Sequence, residues 1–433
     1  MSLIQRTPPF IRYLLIPTFA MGALLAFRAI APAAPTFHRD VAPILQAKCQ
    51  DCHRNNGLNL GGMVAPMAFT EYEESAYWGA AMQVAIETGK MPPWHASSEQ
   101  RGKFENERFI TDEEIETIRR WVEAGLPEGN HKNTLATRKP PEDVTGEWSI
   151  GKPDLVIQFP EPYLVEDDVQ DEYVDIDVPI PVDLMSDNRW IKAVEFQPGS
   201  EVVHHIVAGG GLGGIAPGYG PRVYPDGYSR LLRAETVVSF QMHYHKTPGE
   251  GTAVTDLSKA GIVFYKPGDE IRHVIETESL GLWRFMIPAG DPNYCYDRNY
   301  MVEKDMKLLW FNPHMHLRGK SALYEARFPD GREETLLDVP NYDFNWQHFY
   351  DLKEPIVAPE GTEIYFKLCW DNSATNPSNP DPTRNVTWGR PTTDEMGFGF
   401  MSLSEIEPRS IIVGQPLPDD LPPPRPMFQR GKR

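Results

Sequence analysis

Only four cysteines occur among 433 residues, too few for a disulfide-dense scaffold. Basic charge is also short: 42 Lys and Arg stand against 61 Asp and Glu, a formal net charge of -19 and a sequence pI near 5.1. With no basic field to attract phosphates, nucleic acid and anionic membrane surfaces are excluded as partners. No internal repeat is visible and no H-E-x-x-H zinc-hydrolase motif occurs. Histidine is scarce at 12, so any place where histidines bunch is informative.

The length, at about 150 residues per domain, predicts about three domains. Arg6 and Arg12 precede an apolar stretch over 13–27, and the small residues of 29–34 follow. That is the order of a secretory signal. Residues 1–34 are read as a signal peptide or N-terminal anchor, and the chain as periplasmic or otherwise exported. The apolar stretch is short beside the roughly 20 residues of a spanning helix, so an uncleaved anchor is the one membrane association expected.

From 37 to 125 the apolar spacing is helical. Thr111-Asp112-Glu113-Glu114 reads as a capping box, Ile115, Ile118, Trp121 and Val122 share one helix face, and Gly125 stands where a C-cap belongs. Residues 131–152 are polar and proline-bearing, a linker. Beyond it, short alternating runs such as DLVIQF, WIKAVEFQPG and GTEIYFKLCW, broken by Pro, Gly, Asn and Asp, predict β-sandwiches. The expected organisation is multidomain: an N-terminal all-α domain over 35–130, then two all-β sandwich domains over 153–285 and 286–414, then a disordered tail over 415–433.

Cys49-Gln50-Asp51-Cys52-His53 is C-x-x-C-H, the attachment sequence of a covalent heme c, with His53 as proximal ligand. A redox C-x-x-C wants a βαβ setting, and a zinc ribbon wants a second cysteine pair that is missing. Downstream, Met91 in GKMPPWH is the expected second axial ligand, with His95 as competitor. The loop resembles the M-P-P loop of small bacterial cytochromes c, which makes 35–130 a cytochrome c-like domain. Cys295 and Cys369 are left as one bridge or two buried thiols.

The histidines cluster as His204-His205, His243-Tyr244-His245 and His314-Met315-His316. His314 and His316 face one side of a strand. The adjacent pair His204 and His205 needs a strand end or a bulge to share a metal, and the Gly-rich run 209–214 makes one plausible. VVHHIVAGG, FQMHYH, NPHMHLRGK and WGRPTTDEMGFGF, in that order over about 153–408, resemble the copper type II, ascorbate-dependent monooxygenases, the family of peptidylglycine alpha-hydroxylating and dopamine beta-monooxygenases. The resemblance implies two jelly-roll-like sandwiches, each with one of two copper ions, facing each other across an open cleft. It implies His204, His205 and His243 as an electron-storing copper site. It implies His314, His316 and Met396 as the catalytic, O2-binding one, where a thioether suits Cu(I). His245 matches no ligand and is read as supporting, with replacement of His243 the open alternative; His273 and His348 are read as ordinary partly buried histidines.

Where the peptide-amidating members grip a carboxylate, this chain has Asn312, Phe398 and Phe400, so a neutral small-molecule substrate is expected. The implied reaction is R–H + O2 + 2e⁻ + 2H⁺ → R–OH + H2O. Ascorbate is the reductant of the family, while the fused heme points to a protein route or an external redox partner. A linker of about 18 residues spans roughly 20–25 Å as a coil, enough for the heme domain to dock near the three-histidine site. The rival reading is a heme- and copper-binding electron carrier or sensor without oxygenase activity. A copper nitrite reductase would need a thiolate copper site, which neither Cys295 nor Cys369 offers.

Overall fold

The computed structural model describes residues 33–55, 65–133, 148–216, 218–234 and 236–421. The expected signal or anchor, the middle of the linker and the end of the tail lie outside the described residues. Among the described residues no helix is long and apolar enough to cross a membrane. The described residues from Pro35 onward gather into one compact unit.

The fold-class expectation has to be corrected. Among the described residues 38% are strand against 12% helix, with no large all-α cytochrome domain. Only four short α-helices are described: α1 (Ala42–Lys48), α2 (Tyr72–Tyr77), α3 (Gly79–Glu87) and α4 (Asp112–Glu123). α4 has the expected start, with the Glu114 amide donating to Thr111 Oγ1 at 3.2 Å and the Thr111 amide to the Glu114 carboxylate at 2.8 Å. Its Ile118 and Trp121 pack with Phe37, Leu45, Met82 and Ile86 in a small core. The helices stay short because breakers interrupt them: Gly89 at φ +71° ends α3, and the Pro92-Pro93 pair forbids continuation.

The segment after those prolines belongs elsewhere. Trp94, Ala96 and Phe104 are buried in the core built from strands after residue 279. The Ser97 amide donates to Asp338 O at 2.8 Å and the Glu105 amide to Asp351 O at 2.8 Å, while Phe104 bridges to Leu352. Helical periodicity cannot register a segment whose apolar side chains are claimed by residues about 240 positions away.

Nor do the strands assemble as the expected pair of jelly-roll sandwiches. They are spread over one six-stranded and three four-stranded sheets plus two-stranded ribbons, in a four-bladed, propeller-like arrangement. One four-stranded sheet runs Asp171–Pro179, Val237–His245, Val203–Ala208, Gly213–Ile215. A second runs Glu276–Gly281, Gly397–Glu405, Met306–Met315, Tyr350–Ala358, and a third Tyr294–Met301, Glu363–Trp370, Gly319–Arg327, Glu333–Val339. The last two share an apolar core in which Phe311, Met315 and Leu403 meet Tyr324, Phe366 and Trp370. Cys295 and Cys369, opposite each other in the third sheet, form a disulfide, which closes the alternative left by the sequence.

Candidate metal centre

His205 lies directly opposite His243 on antiparallel strands, and the register shifts between Val203 and His205. That bulge turns His204 toward the same side as His205, the condition the sequence required. His205 Nδ1 stands 3.4 Å from His204 Nδ1 and 3.2 Å from His243 Nδ1, and the ligand atoms of all three lie within 4.8 Å of one another. Donors at about 2.0 Å from one ion stand about 3.3 Å apart at tetrahedral angles. His243 Nε2 faces the Asp171 carboxylate at 2.5 Å, so the proton sits on Nε2 and the Nδ1 lone pair points into the cluster. Burial first, and then the neighbouring imidazoles, hold His204 and His205 well below the ordinary histidine range, so both imidazoles are neutral and able to ligate a metal.

Asp171 is the residue that no sequence motif marked here. Burial alone would raise its pKa, but the bonds with His243, His245 and Thr392 hold it well below the usual carboxylate range. Its second oxygen accepts the Thr392 amide at 2.8 Å, tying this sheet to the loop that carries Met396. His245 reaches the same carboxylate at 3.4 Å and stays outside the cluster. Asp171→Asn is expected to weaken copper at the three-histidine cluster about 10- to 100-fold, measured by chelator competition; unchanged affinity would remove Asp171 from the account.

The second group forms on the sheet holding Met306–Met315. There Asn312 pairs with Phe400 and His314 with Phe398, and Met396, just before the partner strand, lines the same cavity as His314. His314 Nδ1 meets Gln347 Oε1 at 2.5 Å and His316 Nδ1 meets the Asp394 carbonyl at 3.3 Å. Each acceptor fixes the proton on Nδ1 and leaves the Nε2 lone pair free; that of His316 is buried without a partner. Burial pushes His314 down to about 4, against the pull of Gln347. The His205 and His314 rings are only 6.1 Å apart. The two groups therefore adjoin, rather than facing each other across an open cleft.

Residues 340–349, which no motif marked, touch both groups. Phe344 stacks on His204 at 4.6 Å, Gln347 holds His314, and His348 lies next to His95, ring centroids 5.6 Å apart. The N-terminal segment thus packs on the stretch that touches both groups. Glu395 is fully buried and accepts the amides of His316 at 2.9 Å and Arg318 at 2.7 Å. Burial pushes its carboxyl up to about 8 despite these bonds.

Both groups border one cavity of about 550 Å³, lined by His205, His314 and Met396 together with aromatic side chains that include Trp283, Trp310 and Phe398. Asn312 is committed structurally, donating to His348 O at 2.7 Å. His273 is a buried histidine stacked on Tyr228, away from both groups. A further convergence sets His38 and His131 at 3.4 and 2.8 Å from the Glu128 carboxylate.

In the C-x-x-C-H segment the amides of Cys52 and His53 both donate to Cys49 O, at 3.2 and 2.9 Å, placing two thiols and an imidazole on one turn. Both thiols are free, and burial pushes Cys49 up to about 12. His53 stacks on Phe69 at 4.6 Å. Met91 follows α3 directly and is half-buried. His95, its competitor, lies beside His348. Trp94 Nε1, His95 Nδ1, Arg108 Nη1 and His348 Nε2 are buried without partners, and Arg108 is within electrostatic reach of Cys52. This donor set, with buried donors for a heme's carboxylates nearby, fits a covalent heme.

No known family model matches the chain, and no curated protein matches it. Among solved structures it is similar to the major capsid protein P2 of bacteriophage PM2, over 60% of this chain and 98% of that one, at 4% identity and a TM-score of 0.25. It is also similar to the VP2 subviral particle of infectious bursal disease virus, over 58% and 71%, at 6% identity and a TM-score of 0.18. Likenesses at that level carry no argument about this chain.

Proposed function

We propose that this chain is an exported copper-dependent monooxygenase that hydroxylates a C–H bond of a small organic molecule with O2, with a c-type heme at Cys49, Cys52 and His53 on the electron-supply side. The observation that carries the reading is the convergence of the Nδ1 atoms of His204, His205 and His243 beside His314, with His205, His314 and Met396 on the wall of one apolar cavity. Copper held at those two groups would supply the one-electron redox chemistry and O2 reduction that side chains lack.

The residues of the chain do the rest. Asp171, Gln347 and the Asp394 carbonyl fix the tautomers of His243, His314 and His316, so each presents an unprotonated nitrogen. The aromatic wall excludes water and holds an apolar molecule beside His314 and Met396. A carrier or sensor has no use for such a cavity, which favours the oxygenase over that rival.

The test is composition and turnover. Protein matured in a periplasm is expected to hold two coppers and one covalent heme, seen by metal analysis and a pyridine hemochrome spectrum, and to couple oxygen uptake to a hydroxylated product. Zinc filling both histidine groups, or heme that extracts into acidic solvent, would overturn the corresponding assignment.

A further inference from the structure

We propose that the cavity takes an apolar molecule bearing a carboxylate, and that Arg230 holds that carboxylate; only the fate of the bound molecule rests on the monooxygenase reading. The chain carries a net charge of -19, yet no Asp or Glu lines the cavity, while Arg222, Arg230 and Arg390 do. Two of the three are matched by acids. Arg222 forms an ion pair with Asp351, and Arg390 lies 3.4 Å from Asp175.

Arg230 is different. Its Nη2 donates to a neutral group, Thr277 Oγ1, its Nε is buried without a hydrogen-bond partner, and no ion pair to it occurs among the described residues. Arg230 is half-buried on the cavity wall, and an anion entering the cavity would complete its hydrogen bonding. Beyond the histidines, the other buried unpartnered atoms on the wall are Tyr173 Oη and the indole nitrogens of Trp283, Trp310 and Trp388. All can donate. A wall of donors and positive charge selects an acceptor-rich group, and the planar guanidinium fork matches a carboxylate. The aromatic rings take the apolar body.

This revises the expectation of a neutral substrate. Asn312, Phe398 and Phe400 bring no charge, but Arg230, on the strand Tyr228–Leu232, restores it from a different sheet.

The test titrates the full copper-loaded chain with aryl- and alkylcarboxylates, 3-phenylpropanoate among them, each against its primary amide. Acids are expected to bind at least about tenfold tighter than their amides, the worth of one charge-assisted hydrogen bond. Arg230→Gln should bring that ratio to about one, and Arg230→Lys should recover part of it. Equal binding of acid and amide by the wild type, or binding of neither, overturns the proposal. So does an acid preference that survives Arg230→Gln or vanishes in copper-free protein, since the metal would then be the anchor. Acid preference in protein that takes up no copper and forms no product would sink the monooxygenase reading and leave the carboxylate site standing.

Discussion

Met396→Ile is expected to lower copper content from two ions to one and to abolish hydroxylation, while the remaining copper stays reducible. His314 and His316 would keep their fixed tautomers, because Gln347 and the Asp394 carbonyl do not involve the thioether. Two imidazoles alone hold Cu(I) more weakly than two imidazoles and a soft sulfur. The three-histidine cluster draws its geometry from Asp171 and the bulge at His204, so it should load as before. Ile keeps the bulk and apolar character of the cavity wall, which separates ligand loss from loss of packing. Copper analysis, reduction by ascorbate and product formation are the measurements. A variant with two tightly bound coppers and full turnover would show that Met396 only packs.

Glu395→Ala is expected to lower stability by about 3–5 kcal/mol, because it takes the acceptor away from a set of buried donors. Arg318 is fully buried, with Nε donating to Asn372 Oδ1 at 2.8 Å and Nη1 to Thr393 O at 2.9 Å. Its Nη1 lies 4.0 Å from Glu395 Oε1. The same carboxylate accepts the Trp370 indole N–H at 3.1 Å and the amides of His316 and Arg318, so alanine leaves three donors unmet. Glu395→Gln keeps an acceptor oxygen in place and should cost less. Denaturant unfolding of the three proteins decides it: a loss below about 1 kcal/mol for alanine would mean water or another group takes over the carboxylate's role.

Part of the site is legible in residue spacing alone. Histidines in a chain poor in them, spaced as H-H, H-Y-H and H-M-H, mark the strands that the fold brings to one cavity. The capping box at Thr111 is equally readable, because a cap is a contact between residues three apart. The all-α domain was misjudged for a complementary reason. Local periodicity near 37–125 is real in α4, but residues 94–104 spend their apolar side chains on a core formed by strands after residue 279. Asp171 and Gln347 carry no signal at all, and Glu395, although inside WGRPTTDEMGFGF, is marked there by no spacing of its own. Each lies from one to dozens of positions away from the ligand it serves, and a single polar residue in a strand or loop looks like any solvated one.

The sequence by itself determined the chemistry on offer: two thiols and an imidazole on one turn, imidazoles and a thioether in ligand pairs, an acidic chain without a basic face, and a polar N-terminal start before an apolar stretch. Those follow from residue identity and short spacing, which the backbone reads within one turn or one strand. The tertiary structure decided which groups meet. It turned adjacent His204 and His205 to one side by a bulge, set the two metal groups side by side, and packed the segment after Met91 against His348. It also closed Cys295 on Cys369 and placed Arg230 on the cavity wall. Each is a long-range contact, chosen by burial of apolar surface and by the need of every buried charge and donor for a partner, and neither requirement is written in any short stretch of chain.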